Sequence, residues 1–227
     1  MTIVAENINH FTARLRLLEQ RYGRPANSVN LLAVSKRQSI EKITEAHNAG
    51  QKDFGENYLQ EAVEKIQKLQ ALNLTWHFIG PIQANKTRAI TEHFQWVHSV
   101  DRAKIALRLS EQRKDNSSKL NVCVQVNLSN EASKAGVTLE EAKALCEYIS
   151  KLSNLSLRGL MAIPAPQSEP AAQRASFQLL TTEFTKLQVL YAEMDTLSMG
   201  MSADYEAAIA EGSSLIRIGT AIFGARA

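Results

Sequence analysis

The chain has 227 residues, 44% hydrophobic and 22% charged, an ordinary globular composition with enough apolar residues for a sizeable core. The formal net charge is only +3 and the basic residues are dispersed, which argues against nucleic acid as a partner. No repeat, low-complexity tract or Pro/Ser/Gly-rich linker divides the sequence, so one domain over 1–227 is expected, and no apolar run reaches membrane-spanning length.

Polar residues at Glu6, Asn7, Asn9 and His10 interrupt any signal-peptide core, and the acidic Glu6 and Glu19 weigh against a transit peptide. Ile8, Phe11, Leu15, Leu18 and Tyr22 instead fall at helical spacing, which predicts an amphipathic helix within 1–24 packed on the body. From residue 29 onward, short apolar runs alternate with longer amphipathic ones. Strands are predicted at 29–36, 53–57, 74–80, 96–100, 121–127, 155–163, 196–201 and 215–224. Helices are predicted at 40–49, 58–71, 83–93, 103–114, 139–152, 170–191 and 205–211. Runs such as LNVCVQV and SLIRIGTAIF are apolar on both faces, as parallel strands covered by helices are. Thr138 and Glu141 have capping-box spacing, and Asp101 is read as the cap of the helix that follows it. Cys123 and Cys146 are too few for a disulfide framework and read as buried thiols of a reducing, cytoplasmic compartment.

Eight strand–helix alternations in this length predict a single (β/α)₈ TIM-type barrel with an extra N-terminal helix. A doubly wound sheet is the alternative, but neither a G-x-G-x-x-G nor a G-x-x-x-x-G-K-[ST] loop is present. Barrel sites lie at the C-terminal strand ends. The first strand ends at Lys36, the second at Asn57, the seventh at Ser202, and the eighth carries Arg217, Gly219 and Thr220. Burial favours the neutral form of a lysine amine, and a neutral amine attacks an aldehyde to form a Schiff base. The alternative is a lysine that snorkels at the barrel rim. Ser202, Gly219 and Thr220 follow strands seven and eight, where barrels bind phosphate. Ser202 is also a candidate N-cap for ADYEAAIA. Met199 and Met201 fit core packing, with Met201 bordering the phosphate position. Arg217 requires an acceptor, either a ligand or a carboxylate such as Glu56. His77 reads as a satisfied core histidine, Lys134 as solvated, and no histidine has metal-ligand spacing.

The stretches LLAVSK, DFGENYLQE, WHFIGPIQANK, GLMAIP and LSMGMSADYEAAIAEGSSLIRIGTAIFGAR run in order over nearly the whole chain. Together they resemble the pyridoxal phosphate homeostasis protein family, whose fold is similar to the N-terminal barrel of alanine racemase. The resemblance implies pyridoxal 5′-phosphate (PLP) as cofactor, with Lys36 as the Schiff-base lysine. It places Asn57 beside the pyridine ring, Arg217 at the ring nitrogen, and Ser202, Gly219 and Thr220 on the phosphate. A permanent cation at the ring nitrogen disfavours a pyridinium and weakens the cofactor as an electron sink. The sequence ends at GARA, without the β domain that supplies a tyrosine acid/base in the racemase. The expectation is therefore a monomeric, non-catalytic PLP carrier serving vitamin B6 and amino-acid/keto-acid balance, with PLP-dependent apoenzymes as recipients. The competing reading is a small PLP-dependent amino-acid racemase or lyase.

Overall fold

The computed structural model describes residues 2–113, 118–129 and 134–224. Its framework is eight parallel strands that close in sequence order: β1 (Asn30–Val34), β2 (Asp53–Glu56), β3 (Thr75–Phe78), β4 (Trp96–Val100), β5 (Leu120–Val126), β6 (Leu155–Ala162), β7 (Thr196–Ser198) and β8 (Leu215–Ile218). Closure joins β1 to β8, with Leu32 opposite Arg217 and Ala33 opposite Ile218. The expected (β/α)₈ barrel is the architecture found.

Helix α1 (Ile3–Arg21) precedes the barrel and buries Val4, Ile8, Phe11, Leu15 and Leu18, much the stripe its spacing predicts. The connecting helices are α2 (Ile40–Asn48), α3 (Leu59–Lys68), α4 (Thr87–His93), α5 (Ala103–Gln112), α6 (Leu139–Ser150), α7 (Pro170–Leu190) and α8 (Tyr205–Ala210). Thr138 and Glu141 form the reciprocal capping box at the start of α6. The outer strand faces and the helices share one apolar core that includes Phe54, Phe94 and Phe177.

Several boundaries differ from the sequence reading. The eighth strand stops at Ile218, and 220–223 form a short helix, α9 (Thr220–Phe223). An apolar run of this length is compatible with either state, and the turn at Gly219 separates them. The seventh strand ends at Ser198, before Gly200 turns the chain at φ +95°. The first strand ends two residues before Lys36. The stretch 58–71 splits into α3 and a 3₁₀ turn at Gln70–Leu72, and 83–93 opens with a 3₁₀ turn at Ala84–Lys86. Lys114, predicted to end the fifth connecting helix, lies outside the described residues. Asp101 does not cap α5. Arg102 occupies that position without a side-chain cap, and the Asp101 carboxylate accepts from the Arg102 guanidinium at 2.7 Å.

The barrel interior is unusually polar. His77 of β3 and His98 of β4 are buried and joined at 2.9 Å between Nδ1 of His77 and Nε2 of His98. His98 Nδ1 lies 2.9 Å from Ser198 Oγ on β7, across the lumen from β4. Cys123 is also buried here, and burial holds its thiol protonated. Burial lowers the pKa of both imidazoles, most strongly for His98, where His77 and Arg217 push the same way. Asp53 opposes the shift at His77. Folded-state proton affinity therefore lies below the unfolded value of about 6.5. The stability from neutral burial is present above that value and is lost as pH falls toward the folded pKa values. Each histidine is expected to remove up to about 1.4 kcal/mol per pH unit in that window. Urea midpoints recorded between pH 7.5 and 5.5 should fall on acidification; an unchanged midpoint would contradict neutral burial.

Candidate functional site

The C-terminal strand ends surround a cavity of about 290 Å³ whose lining includes Lys36, Asn57, Met201, Ser202, Arg217, Gly219 and Thr220. These seven candidate residues come from the ends of β1, β2, β7 and β8, and the fold brings all of them to one mouth. Val34, Ile79 and Ile163 supply apolar wall. The volume sits at the small end of the range for small-molecule sites. Two recesses adjoin it at Asn57. One, of about 540 Å³, is lined by Tyr58, Glu61 and Lys86 among others. The other, of about 300 Å³, includes Gln125, Asn127 and Lys134. Lys134 thus faces a cavity beside the site and is half-buried, in contrast to the solvated position expected of it.

Lys36 is half-buried, and the backbone on either side of it is pinned by charges that the sequence reading did not single out as a set. Lys65 of α3 is 5% exposed and donates to the Ser35 carbonyl at 2.7 Å, to Glu56 Oε1 at 2.8 Å and to Glu61 Oε1 at 2.5 Å. Ser35 Oγ donates to Glu56 Oε1 at 2.7 Å, and the Arg37 N–H donates to Glu61 Oε1 at 2.5 Å. Ser35 N–H also donates to the Gly55 carbonyl. Residues 35 and 37 are therefore held from both sides, and Arg37 takes a positive φ of 59°. The Glu61–Lys65 spacing of four was the legible signal, since it places both groups on one helix face. Burial raises the pKa of Glu56, while Lys65 and Ser35 pull it back.

Arg217 is buried inside β8. Its Nη1 donates to the Ser198 carbonyl at 2.7 Å and to Ser198 Oγ at 2.8 Å, and Nη2 donates to the Ala162 carbonyl at 2.9 Å. Glu56 is not its partner; that carboxylate is engaged by Lys65 and Ser35 on the β1–β2 side. A guanidinium has five N–H donors, so among the described residues two are left for a ligand. Desolvation lowers the Arg217 pKa to about 10, with Asp204 and Cys123 opposing, so it stays cationic at neutral pH. Asn57 Oδ1 is buried without a hydrogen-bond partner.

The opposite side of the cavity is open, with Met201, Ser202 and Thr220 exposed. Met201 is 36% exposed and so is not the core residue its apolar character suggested. Ser202 is not an N-cap; Asp204 holds that position in α8, and its Oδ1 accepts from the Met201 N–H at 2.6 Å instead. That bond leaves the Ser202 hydroxyl at the cavity. A Cβ on Gly200 would come within 2.6 Å of Ala208 Cβ, so the turn into this loop requires glycine. Gly219 starts α9, and a Cβ there would meet the Val34 carbonyl at 3.2 Å. The first N–H groups of a helix have no acceptor within it, which leaves this turn able to donate outward. Two distant side chains hold α9 in place: Asn7 of α1 donates to the Ile222 carbonyl at 2.9 Å, and Lys42 of α2 donates to the Phe223 carbonyl at 2.8 Å. The N-terminal helix is thus part of the support of this mouth.

His77 lies toward the opposite mouth, beside a recess that also includes Asp53, Trp96, Arg158 and Asp195. It is a satisfied core histidine, as its place within a strand implied, and contacts the cavity only through intermediaries. Among the described residues no group of three His, Cys, Asp or Glu could hold a metal ion, and no helix is long and apolar enough to cross a membrane.

Residues 7–227 match the family model described as alanine racemase, N-terminal domain. The chain is 58% identical over 226 residues to the pyridoxal phosphate homeostasis protein of Pseudomonas aeruginosa, covering 100% of this chain and 97% of that protein. It is 48% identical to the protein of the same name from Escherichia coli K12, covering 100% and 98%. Among solved structures it superimposes on PipY of Synechococcus elongatus with PLP bound at a TM-score of 0.83, with 37% identity over 97% of this chain and 100% of that one. Alanine racemase from Corynebacterium glutamicum shares the fold alone, with a TM-score of 0.67 at 16% identity, and this chain covers 60% of it.

The clamp around Lys36 is open to test. Lys65→Met leaves Glu56 and Glu61 without their buried cation and is expected to cost about 3–5 kcal/mol, read as a lowered urea midpoint. A loss below about 1 kcal/mol would mean that water already solvates the two carboxylates.

Proposed function

This chain belongs to the pyridoxal phosphate homeostasis protein family, and from that premise we propose that it holds PLP as a Schiff base on Lys36 at the C-terminal mouth of the barrel. It binds PLP and acts in PLP homeostasis, not as an enzyme. The observation that carries the site assignment is the convergence of Lys36, Asn57, Arg217, Met201, Ser202, Gly219 and Thr220 on one cavity. The donor set fits the cofactor. Two Arg217 N–H groups sit in the buried part, suited to a pyridine nitrogen as acceptor, and the buried Asn57 amide oxygen can accept from a donor on the ligand. The hydroxyls of Ser202 and Thr220 sit in the open part, suited to a phosphate.

Bound PLP supplies an aldehyde that forms an imine with an amine, and in enzymes a ring that delocalises negative charge. The residues of this chain favour the first property over the second. Lys36 supplies the amine. Arg217 stays a cation at neutral pH and presents donors, so a ring nitrogen beside it accepts a hydrogen bond and is disfavoured as a pyridinium. The exposed loop residues leave one side open to water, which forgoes the electrostatic benefit of a closed site.

The finer reading is that the whole of 1–227 acts as one PLP-binding domain, a cytoplasmic monomer that passes the cofactor to PLP-dependent apoenzymes and takes no nucleic acid. The dispersed charge supports the last point, and the two buried thiols suit a reducing compartment. The racemase-like alternative needs proton removal on one face and delivery on the other. His77 lies toward the other mouth, and Tyr58 borders the adjoining recess, 47% exposed.

Borohydride reduction of the PLP-loaded protein followed by peptide mapping should place the pyridoxyl group on Lys36, and Lys36→Ala should lose the visible band. Label on another lysine with Lys36 unmodified would overturn the assignment. Pyridoxal should bind more weakly than PLP, because each hydrogen bond lost to a charged group costs on the order of 1.5–3 kcal/mol; equal affinities would remove the phosphate site. In heavy water, the loaded protein should exchange the α-proton of L- and D-amino acids no faster than free PLP does. Enzyme-like exchange that depends on Lys36 would favour the racemase alternative.

A further inference from the structure

Four contacts form a single line through the barrel. Arg217 Nη1 donates to Ser198 Oγ at 2.8 Å. Ser198 Oγ lies 2.9 Å from His98 Nδ1, and His98 Nε2 lies 2.9 Å from His77 Nδ1. His77 Nε2 lies 3.1 Å from Asp53 Oδ1. The line starts at the PLP cavity and ends at the recess of the opposite mouth, which Asp53 and His77 line. Its members sit on β8, β7, β4, β3 and β2, and apart from Asp53 all are buried.

The Asp53 end sets the polarity, and the Arg217 end agrees with it. An arginine only donates, so Ser198 Oγ must accept from it and has one proton to pass on. His98 Nδ1 then accepts, which makes Nε2 the protonated nitrogen of His98. That proton goes to His77 Nδ1, so His77 also carries its proton on Nε2 and gives it to Asp53. From the other end, a carboxylate accepts from His77 Nε2 and sets the same order. Every donor in the line meets an acceptor only when both imidazoles are neutral Nε2–H tautomers.

We propose that Ser198, His98, His77 and Asp53 are positioning residues, one directional hydrogen-bond chain that fixes the orientation in which Arg217 presents its remaining donors to bound PLP. This rests on the reading of Arg217 as the ring-nitrogen partner. The chain keeps the Ser198 hydroxyl turned toward His98, so that its lone pairs stay on Arg217. With the Ser198 and Ala162 carbonyls, this holds the guanidinium plane in one orientation. The charged and titratable groups around the chain are Arg217 itself, Asp204 beside it, Cys123 of β5, and the Arg158–Asp195 pair near the far mouth. Burial keeps the Cys123 thiol protonated, and Arg158 and Asp195 are engaged with each other. Asp53 is therefore the anion bonded to the histidine pair.

Nitrogen-15 NMR of the full chain without PLP tests the polarity directly. His77 and His98 should each show a protonated Nε2 and an unprotonated Nδ1 from pH 6 to 8; an Nδ1–H tautomer or an imidazolium at either position overturns the chain. The coupling to PLP is tested by two substitutions at one position. Asparagine can place an amide oxygen where His98 Nδ1 lies, whereas leucine has similar bulk and no acceptor. His98→Leu is expected to weaken PLP binding on the order of tenfold and to raise the pH at which the visible band titrates, because a loosened Arg217 opposes ring protonation less. His98→Asn should stay near wild type in both readouts. Equal shifts in the two variants would reduce His98 to a packing role, and no shift in either would uncouple the chain from the cofactor; both results overturn the proposal. Failure of the wild-type protein to show a visible band would instead remove the PLP reading, and the tautomer measurement would still decide the chain.

Discussion

Arg217 is a permanent charge buried in the interior of a closed barrel, where an unpaired ion costs several kcal/mol after relaxation. Among the described residues no carboxylate is hydrogen-bonded to it. Its charge is met by the carbonyls of Ala162 and Ser198 and by the Ser198 hydroxyl. Those acceptors belong to β6 and β7, so the arginine ties the last three strands together at the point where β7 and β8 are joined in register by the single pair Ser198–Leu215. The rest of the polar interior follows from satisfying this group. Ser198 accepts from it, and the Asp53 carboxylate at the far end orders the two histidines so that Ser198 donates to His98. The same partial satisfaction leaves Arg217 with donors for a ligand at the C-terminal mouth.

A second buried charge does a different job nearby. Lys65 is almost fully enclosed between Glu56, Glu61 and the Ser35 carbonyl, and these contacts hold the backbone next to Lys36, the proposed Schiff-base lysine. The clamp acts on the backbone at residues 35 and 37, and Lys36 between them lines the cavity. The mouth is therefore pinned around Lys36 and open at the 201–203 loop, a combination that would suit taking up and releasing a cofactor. Placement on rigid elements, with exposure on one side only, is what separates a holding site from a closed catalytic one.

The barrel is shared with alanine racemase at 16% identity, and a shared fold carries no function by itself. The functional reading rests on full-length relatives of the same name at 48–58% identity and on the chemistry of the site. With Arg217 as the proposed ring-nitrogen partner, its charge and the water-exposed loop would both work against carbanion chemistry.

The sequence by itself determined the strand–helix alternation, and with it the barrel, because short runs apolar on both faces and longer amphipathic runs with a period near 3.6 are local properties. It also placed Lys36, Asn57, Ser202, Gly219 and Thr220 at strand ends, since strand ends are where polar residues interrupt apolar runs. Local pattern could not separate strand from helix at 220–223, where an apolar stretch suits both states. Nor could it assign Asp101 or Ser202 as caps, because capping depends on which neighbour the side chain reaches. Only the tertiary structure decided partners. Glu56 went to Lys65 and not to Arg217, Asn7 and Lys42 came to hold α9, and His77, His98, Ser198 and Arg217 joined into one line. These contacts join residues of different elements, and hydrogen bonds between elements leave no periodicity in the chain to read.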